Sequence, residues 1–474
     1  MSNATDRAYE LGFRTVETEY ADRRLPVEGA VPSWLSGALI RNGPGRFEFG
    51  GERATHWFDG LAMLRRYGFD DGTISYTNRF LRTEAYAAAD SGRGATEFAT
   101  GDGSLRRTLR WLRSLGPPEP TDNANVHVAR LGEHFVALTE APRRIAFDPV
   151  TLETRGEFRW RDDVPEHLAT AHLTVDPNRE ETIGYSTAFG LSPTYHVYRI
   201  PHGRAARRHV ATVPAAGPGY VHDCSVTESH VVIVETPLRI AVTKALAPWN
   251  GSEGLLDLLE YDESAPSRFL VVDRDAETLA ATLESPPFFT FHHVNAYEDG
   301  DELVVDLVAF DDDEIVRALT FEALSEGAFA TAPDGRFVRY RLHSEEDRVR
   351  RSERYDGGME LPTVPEPVRG RPYRYAYAQA TDRVGANGLV KLDVERGTAT
   401  EWWERGIYVE EPRMVRRPDG SAEDDGVVIA TALDTGRERS MLLVFDAETL
   451  VELARAPLPH AVPFGFHGRY FPDA

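Results

Sequence analysis

Leu443–Leu450 reads LVFDAETL, and Leu270–Leu279 reads LVVDRDAETL. In both, an apolar run ends on Asp, a few turn-forming residues follow, and Thr-Leu opens the next run. Ile145–Leu152 (IAFDPVTL) has the same form, and Val390–Thr398 (VKLDVERGT) is a degenerate copy. The unit describes two β-strands joined by a short turn, because branched and aromatic residues suit a pleated surface and Asp suits the turn. Asp393 and Asp446 are 53 residues apart; Asp148 and Asp273 are 125 apart, about two such units. One four-stranded blade with its loops fits that spacing, so 474 residues hold about seven or eight blades of a β-propeller.

The remaining chain agrees with an all-β reading. Period-two alternation in Thr73–Phe80 (TISYTNRF), Phe337–Leu342 (FVRYRL) and Tyr373–Ala378 (YRYAYA) predicts half-buried strands. Ser229–Glu235 (SHVVIVE), Leu303–Phe310 (LVVDLVAF) and Gly426–Leu433 (GVVIATAL) read as buried strands. A β-sandwich of this length would need dividing, and no linker rich in Gly, Ser or Pro divides it. Residues 1–474 are therefore expected to form one propeller domain. One segment departs: Ser104–Leu115 (SLRRTLRWLRSL) gathers Leu105, Leu109, Trp111 and Leu112 on one side at helical spacing and arginines on the rest. Residues 104–115 read either as an amphipathic helix docked on an anionic membrane surface or as a lid packed on the propeller.

Charge narrows the partners. Asp and Glu number 76 against 53 basic residues, and Lys244 and Lys391 are the only lysines. A net charge of −23 opposes nucleic acid as a partner. Many carboxylates with almost no lysine suit a halophilic, salt-rich cytoplasm, where high ionic strength screens their repulsion. A GC-rich genome would explain the missing lysines but not the acid excess. Cys224 is the only cysteine, so no intramolecular disulfide forms. Met1–Arg24 has no apolar core of signal-peptide length, and no stretch has the apolar length of a spanning helix. The expected location is cytoplasmic, with peripheral membrane contact open through 104–115.

Most of the fifteen histidines need no special account; His127, His134, His196, His202, His209, His230 and His343 sit in polar or strand contexts. Four others lie in apolar or small-residue stretches next to turns: His172 (ATAHLTVD, 169–176), His222 (YVHDC, 220–224), His292 (FFTFHHVN, 288–295) and His467 (FGFHG, 464–468). No HxH or HExxH pattern occurs, and each taken singly reads as structural. A propeller alters this, since inner strands distant in sequence converge on one axis.

Arg41–Phe49 (RNGPGRFEF), His56–Met63 (HWFDGLAM), Phe291–Asp299 (FHHVNAYED) and Phe464–Gly468 (FGFHG) resemble, in order, signature segments of the carotenoid cleavage oxygenase family. The resemblance runs over nearly the whole chain. It implies a single seven-bladed β-propeller whose loops and short helices cap a central iron site. It implies one Fe(2+) per chain on His172, His222, His292 and His467, with O2 as co-substrate. It also implies glutamates behind three of the histidines, at Glu140 (ALTE), Glu360 (MELP) and Glu411 (EEP), where Glu410 competes with Glu411. The residue types suit that chemistry: four neutral imidazoles suit iron, and a carboxylate on the second ring nitrogen fixes the tautomer. Two positions depart from the family pattern: Leu173 where Pro often follows the first ligand, and Leu64-Arg65 where Leu-His is common.

The stilbene-cleaving members of that family typically place Lys before the first glutamate; this chain has Thr139, a substrate-tunnel candidate without that charge. Thr139-Glu140 and FHHVNAYED look like the animal β-carotene oxygenases. The implied reaction is cleavage of a conjugated C=C bond of a carotenoid or apocarotenoid, with retinal among the products considered. A stilbene-type dioxygenase, a polyene ester isomerohydrolase and a non-catalytic binding propeller are the alternatives.

Overall fold

The aspartates of the repeat close hairpin turns. Asp148 Oδ1 accepts the amides of Val150 and Thr151 at 3.0 and 2.8 Å. Asp273 accepts those of Asp275 and Ala276, Asp393 that of Arg396, and Asp446 that of Thr449. Four residues after each Asp the chain enters the left-handed region, at Leu152 (φ 59°), Glu277 (57°), Gly397 (65°) and Leu450 (55°). Asp176 with Glu180 and Asp434 with Glu438 repeat the device outside the sequence pattern. An Asx-type turn with one left-handed residue lets a hairpin return with the strand twist intact. The expected Thr-Leu strand opening is corrected in two copies: Leu152 and Leu450 are themselves the left-handed residues, buried under the turn, and the next strand starts beyond them.

The computed structural model describes residues 4–49, 52–92, 98, 99, 120–241, 244 and 254–474. The 104–115 segment lies outside the described residues. Hairpins joined by these turns build seven antiparallel blades of four or five strands, the sixth and seventh linked by a parallel bridge between Asn387 and Tyr408. Their inner strands are, from the second blade on, His127–Leu131, Thr174–Asp176, Cys224–Val226, His293–Asp299, Met359–Thr363 and Arg413–Arg416. The first blade takes its inner strand from the far end of the sequence: Gly468–Phe471 pairs with Gly37–Arg41, which continues through Leu61–Asp70 to Thr73–Phe80. Inner strands of the third to sixth blades lie side by side in order, as do those of the seventh, first and second. The seven blades form a β-propeller around one axis.

Blade stacking changes one expectation. Phe337–Leu342 lies within the strand Arg336–His343 and is buried on both faces instead of one. Val338, Tyr340 and Leu342 pack toward Val232 and Phe269 of the fourth blade, while Phe337 packs with Phe310 and Met359 on the other side. Arg339, alternating with them, is neutralised by buried Asp306 at 2.8 and 2.7 Å. A blade is sandwiched between neighbours, so alternation here sorts residues between two apolar layers, not between core and water. Tyr373–Ala378 enters its strand only at Tyr375. Among the described residues no helix is long and apolar enough to cross a membrane.

Candidate metal centre

Each inner strand begins beside the axis, and four of those beginnings carry a histidine. His292 and His467 immediately precede His293–Asp299 and Gly468–Phe471. His222 lies two residues before Cys224–Val226. His172 occupies a break in the third blade's inner edge, between Leu168–Ala169 and Thr174–Asp176, which both pair with Glu181–Ala188. One ring nitrogen from each of the four comes within 4.8 Å of the others.

Three rings are held from behind by carboxylates. Nδ1–H of His222 donates to Glu140 at 2.5 Å, that of His292 to Glu360 at 2.6 Å, and that of His467 to Glu411 at 2.8 Å. Each bond puts the proton on Nδ1 and turns the Nε2 lone pair to the centre. Glu411 also accepts the Gly468 amide at 2.8 Å and the Arg413 guanidinium at 2.6 Å, and Arg41 lies 3.4 Å away. Glu410 faces the other way, accepting the Gly465 amide at 2.7 Å and the Thr431 hydroxyl. His172 has no carboxylate; its backbone amide donates to Thr170 Oγ1 at 2.9 Å. His293 turns away and hydrogen-bonds Ser225 Oγ at 2.7 Å.

This donor set fits a cation. His172 Nε2 is buried without a hydrogen-bond partner. The Nε2 atoms of His292 and His467 are 3.2 Å apart; with both rings protonated on Nδ1 their lone pairs repel unless a proton or a metal cation lies between them. Burial and the neighbouring imidazoles hold His172 and His467 well below the ordinary imidazole range, which keeps them neutral donors. At His292 burial lowers the pKa, but the Glu360 charge and hydrogen bond outweigh it and the net shift is upward.

His127, which sequence context grouped with ordinary histidines, has its ring 5.3 Å from His467 and 5.6 Å from His172. Its Nδ1 accepts the Val128 amide at 2.7 Å, and it is not among the four that converge. Sequence reading also missed Tyr220, whose hydroxyl donates to Glu140 at 3.0 Å, and Arg41. Both lie inside the motifs YVHDC and RNGPGRFEF, and that position was the available signal.

The N-terminal signature clamps the His467 loop. The Asn42 amide donates to His467 O at 2.8 Å, and the Phe466 amide donates to Asn42 O at 3.0 Å. Arg41 Nη2 donates to Phe466 O at 3.2 Å. A Cβ at Gly43 would fall 2.6 Å from the Gly465 Cα, so only glycine permits this approach. Arg65, at the departing position, is fully buried; it donates to Pro44 O at 2.8 Å and lies 4.0 Å from Glu410.

His222, His292 and His467 form part of the wall of a cavity of about 380 Å³. Phe58, Phe98, Phe291, Phe310, Phe464 and Phe466 supply much of the rest, and Thr139 lines it beside Glu140. An aromatic cavity bordered by nitrogens able to ligate a metal suits an apolar occupant.

Residues 13–472 match the family described as Retinal pigment epithelial membrane protein (RPE65). The mitochondrial carotenoid-cleaving dioxygenase of Mustela putorius furo is 28% identical, over 94% of this chain and 93% of its own. Carotenoid cleavage dioxygenase 8 homolog B, chloroplastic, of Oryza sativa subsp. japonica is 32% identical, over 98% of this chain and 84% of its own. A point mutant of the Synechocystis apocarotenoid oxygenase shares the fold, with a TM-score of 0.88, 24% identity and 98% of both chains covered. Signature segments, seven blades and matched length converge on one conclusion: the chain belongs to the RPE65 family, the carotenoid cleavage oxygenases.

Proposed function

We propose that this protein is a dioxygenase that cleaves a conjugated C=C bond of a carotenoid or apocarotenoid, with Fe(2+) held by His172, His222, His292 and His467. The observation that carries it is the convergence of four imidazole nitrogens within 4.8 Å, three of the rings lying on the wall of an aromatic cavity. The names of the relatives, carotenoid-cleaving and carotenoid cleavage dioxygenases, support the same reaction class. Bound iron(II) supplies the activation of O2 that no side chain here provides.

The chain's own residues do the rest. Glu140, Glu360 and Glu411 fix ring orientation and strengthen the nitrogen donors without adding an anionic ligand. Phe58, Phe291 and Phe466 pack against a polyene and keep the reacting bond dry. No group need act as a general base, since both oxygen atoms enter the products and no proton is lost. Residues 1–474 act as one domain in this reading, supported by the pairing of Gly37–Arg41 with Gly468–Phe471.

The test is metal analysis of anaerobically purified protein, paired with turnover of β-carotene and an apocarotenal under labelled O2. About one iron per chain, with label in the carbonyl products, is expected. Iron without polyene cleavage would sink the substrate class, and absence of iron after reconstitution would sink the site.

A further inference from the structure

Most of the cavity wall is apolar, and two of its polar members are amide side chains of the sixth blade. Gln379, from Tyr375–Arg383, and Asn387, from the adjoining Ala386–Asp393, both line the cavity. Their placement follows from register. Glu360 pairs with Gln379, and Gln379 pairs with Leu389. Asn387 is two residues before Leu389, so it projects to the same face of the sheet as Gln379. The row that ends at Glu360, the partner of His292, therefore leads one diagonal step further to Asn387.

Asn387 is only 8% exposed as a residue, and its side chain lines the cavity, with no hydrogen bond from its carboxamide to another described residue. An amide offers two donors and two acceptor positions, and an occupant of the cavity must meet them or leave them unpaired. Its neighbour Gln379 spends Nε2 on Val409 O, which leaves its Oε1 free to accept. Two adjoining strands thus present amide groups to one largely apolar cavity. An all-hydrocarbon occupant would leave them unpaired in the complex, whereas an oxygen function would satisfy them.

We propose that Asn387 and Gln379 form a recognition site for an oxygen-bearing substrate end, a hydroxyl or a carbonyl, and select oxygenated apocarotenoids over hydrocarbon carotenes. This rests on the cleavage reaction proposed above and narrows its substrate class. Asn387 is a specificity-determining residue here: it binds the end of the substrate, away from the bond that breaks. A site that pairs a substrate hydroxyl or carbonyl discriminates strongly against the analogue lacking it, because its own polar groups are then stranded.

The experiment compares kcat/KM of the iron-loaded protein on β-carotene, an apocarotenal and an apocarotenol, for the wild type, Asn387→Leu and Gln379→Leu. The wild type is expected to favour the oxygenated substrates by about tenfold or more. Asn387→Leu keeps the volume and removes the polar group, so the preference should collapse toward unity. A general defect in folding or iron content lowers all three rates together and leaves their ratio unmoved. Gln379→Leu tests the same prediction if Asn387→Leu does not fold; it should weaken the preference for the hydroxyl, the end able to donate to Oε1, more than for the carbonyl. Equal turnover of all three substrates by the wild type, or an unchanged ratio in the variants, would overturn the recognition site while leaving the cleavage reaction intact. Failure to cleave any of the three would overturn the reaction and this inference with it.

Discussion

Thr170 Oγ1 donates to the carbonyl of His222 at 3.0 Å while accepting the His172 amide at 2.9 Å. One hydroxyl, 3% exposed, thus ties together the backbones of two converging histidines from neighbouring blades. His172 is the one of the four with no carboxylate hydrogen bond among the described residues, so this tie restrains its backbone where no glutamate restrains its ring. Thr170→Val should destabilise the protein by about 1–3 kcal/mol, the cost of leaving buried polar groups unmet. It should also speed loss of metal to a chelator, and Thr170→Ser should restore both. Denaturant unfolding and chelator competition measure the two; a Val variant as stable as the wild type would refute the tie.

Glu411 and Glu410 are adjacent and both buried, yet only Glu411 touches a ring. Glu411→Gln should weaken metal binding by about 10–100-fold, since it loses the charge that fixes the His467 tautomer. Glu410→Gln should lower stability by disturbing the Gly465 amide and Arg41, with a smaller change in metal affinity. Equal metal affinities in the two variants would show that the division of labour is wrong.

Five of the six Asx-type hairpin turns described above carry a non-glycine residue at positive φ. Glu438 is exposed at its turn, with φ 51°. Relieving left-handed strain gains about 1–2 kcal/mol, and glycine's extra unfolded freedom returns about 0.5–1. Glu438→Gly should therefore raise stability by about 0.5–1 kcal/mol in urea unfolding. Leu450→Gly, which empties a buried site, should lower it by about 2 kcal/mol or more.

Glu298 joins the fourth and fifth blades. Burial alone would raise its carboxyl pKa, but hydrogen bonds from His230, Thr227 and the Ser229 amide prevail and hold it at about 2, against 4.5 ordinarily. A depressed carboxylate contributes stability that is complete above its unfolded pKa and disappears as pH falls through the folded one. Unfolding free energy should thus decline from about pH 4.5 toward pH 2, and Glu298→Gln should flatten that decline. An unaltered slope in the variant would remove Glu298 from the account.

Net charge gives a further handle. With −23 spread over the chain, the melting temperature should rise as KCl goes from about 0.01 M, where the Debye length is ~30 Å, to about 1 M, where it is ~3 Å. A salt-independent melting temperature would show that repulsion among the excess carboxylates does not limit stability.

What the sequence disclosed was what local chemistry controls. The Asp-led turns were legible because an Asx turn needs only the next three residues, and those turns spaced the blades. Pairing of Gly37–Arg41 with Gly468–Phe471 was not legible, since nothing in either segment names a partner more than four hundred residues away. Glu410 and Glu411 posed a different limit. In extended backbone, adjacent side chains point to opposite sides, so one of them must face His467, but facing direction depends on how the strand enters the blade. His127 shows the converse: its context resembles that of an ordinary strand residue, yet the propeller axis brings its ring beside two of the four converging ones. The meaning of RNGPGRFEF as a clamp on Phe466 and His467 likewise emerged only when the two ends were seen together.

The position of His467 has a consequence for biogenesis. It arrives on the strand that closes the ring, after His172, His222 and His292 have left the ribosome. Those three belong to blades that can stack locally, but the fourth is delivered by the longest loop closure in the molecule. Until that strand docks, the growing chain can offer at most three of the four proposed ligands. On the four-histidine site proposed above, cofactor acquisition would wait for the end of folding, and a chain that stalls short of closure would stay metal-poor.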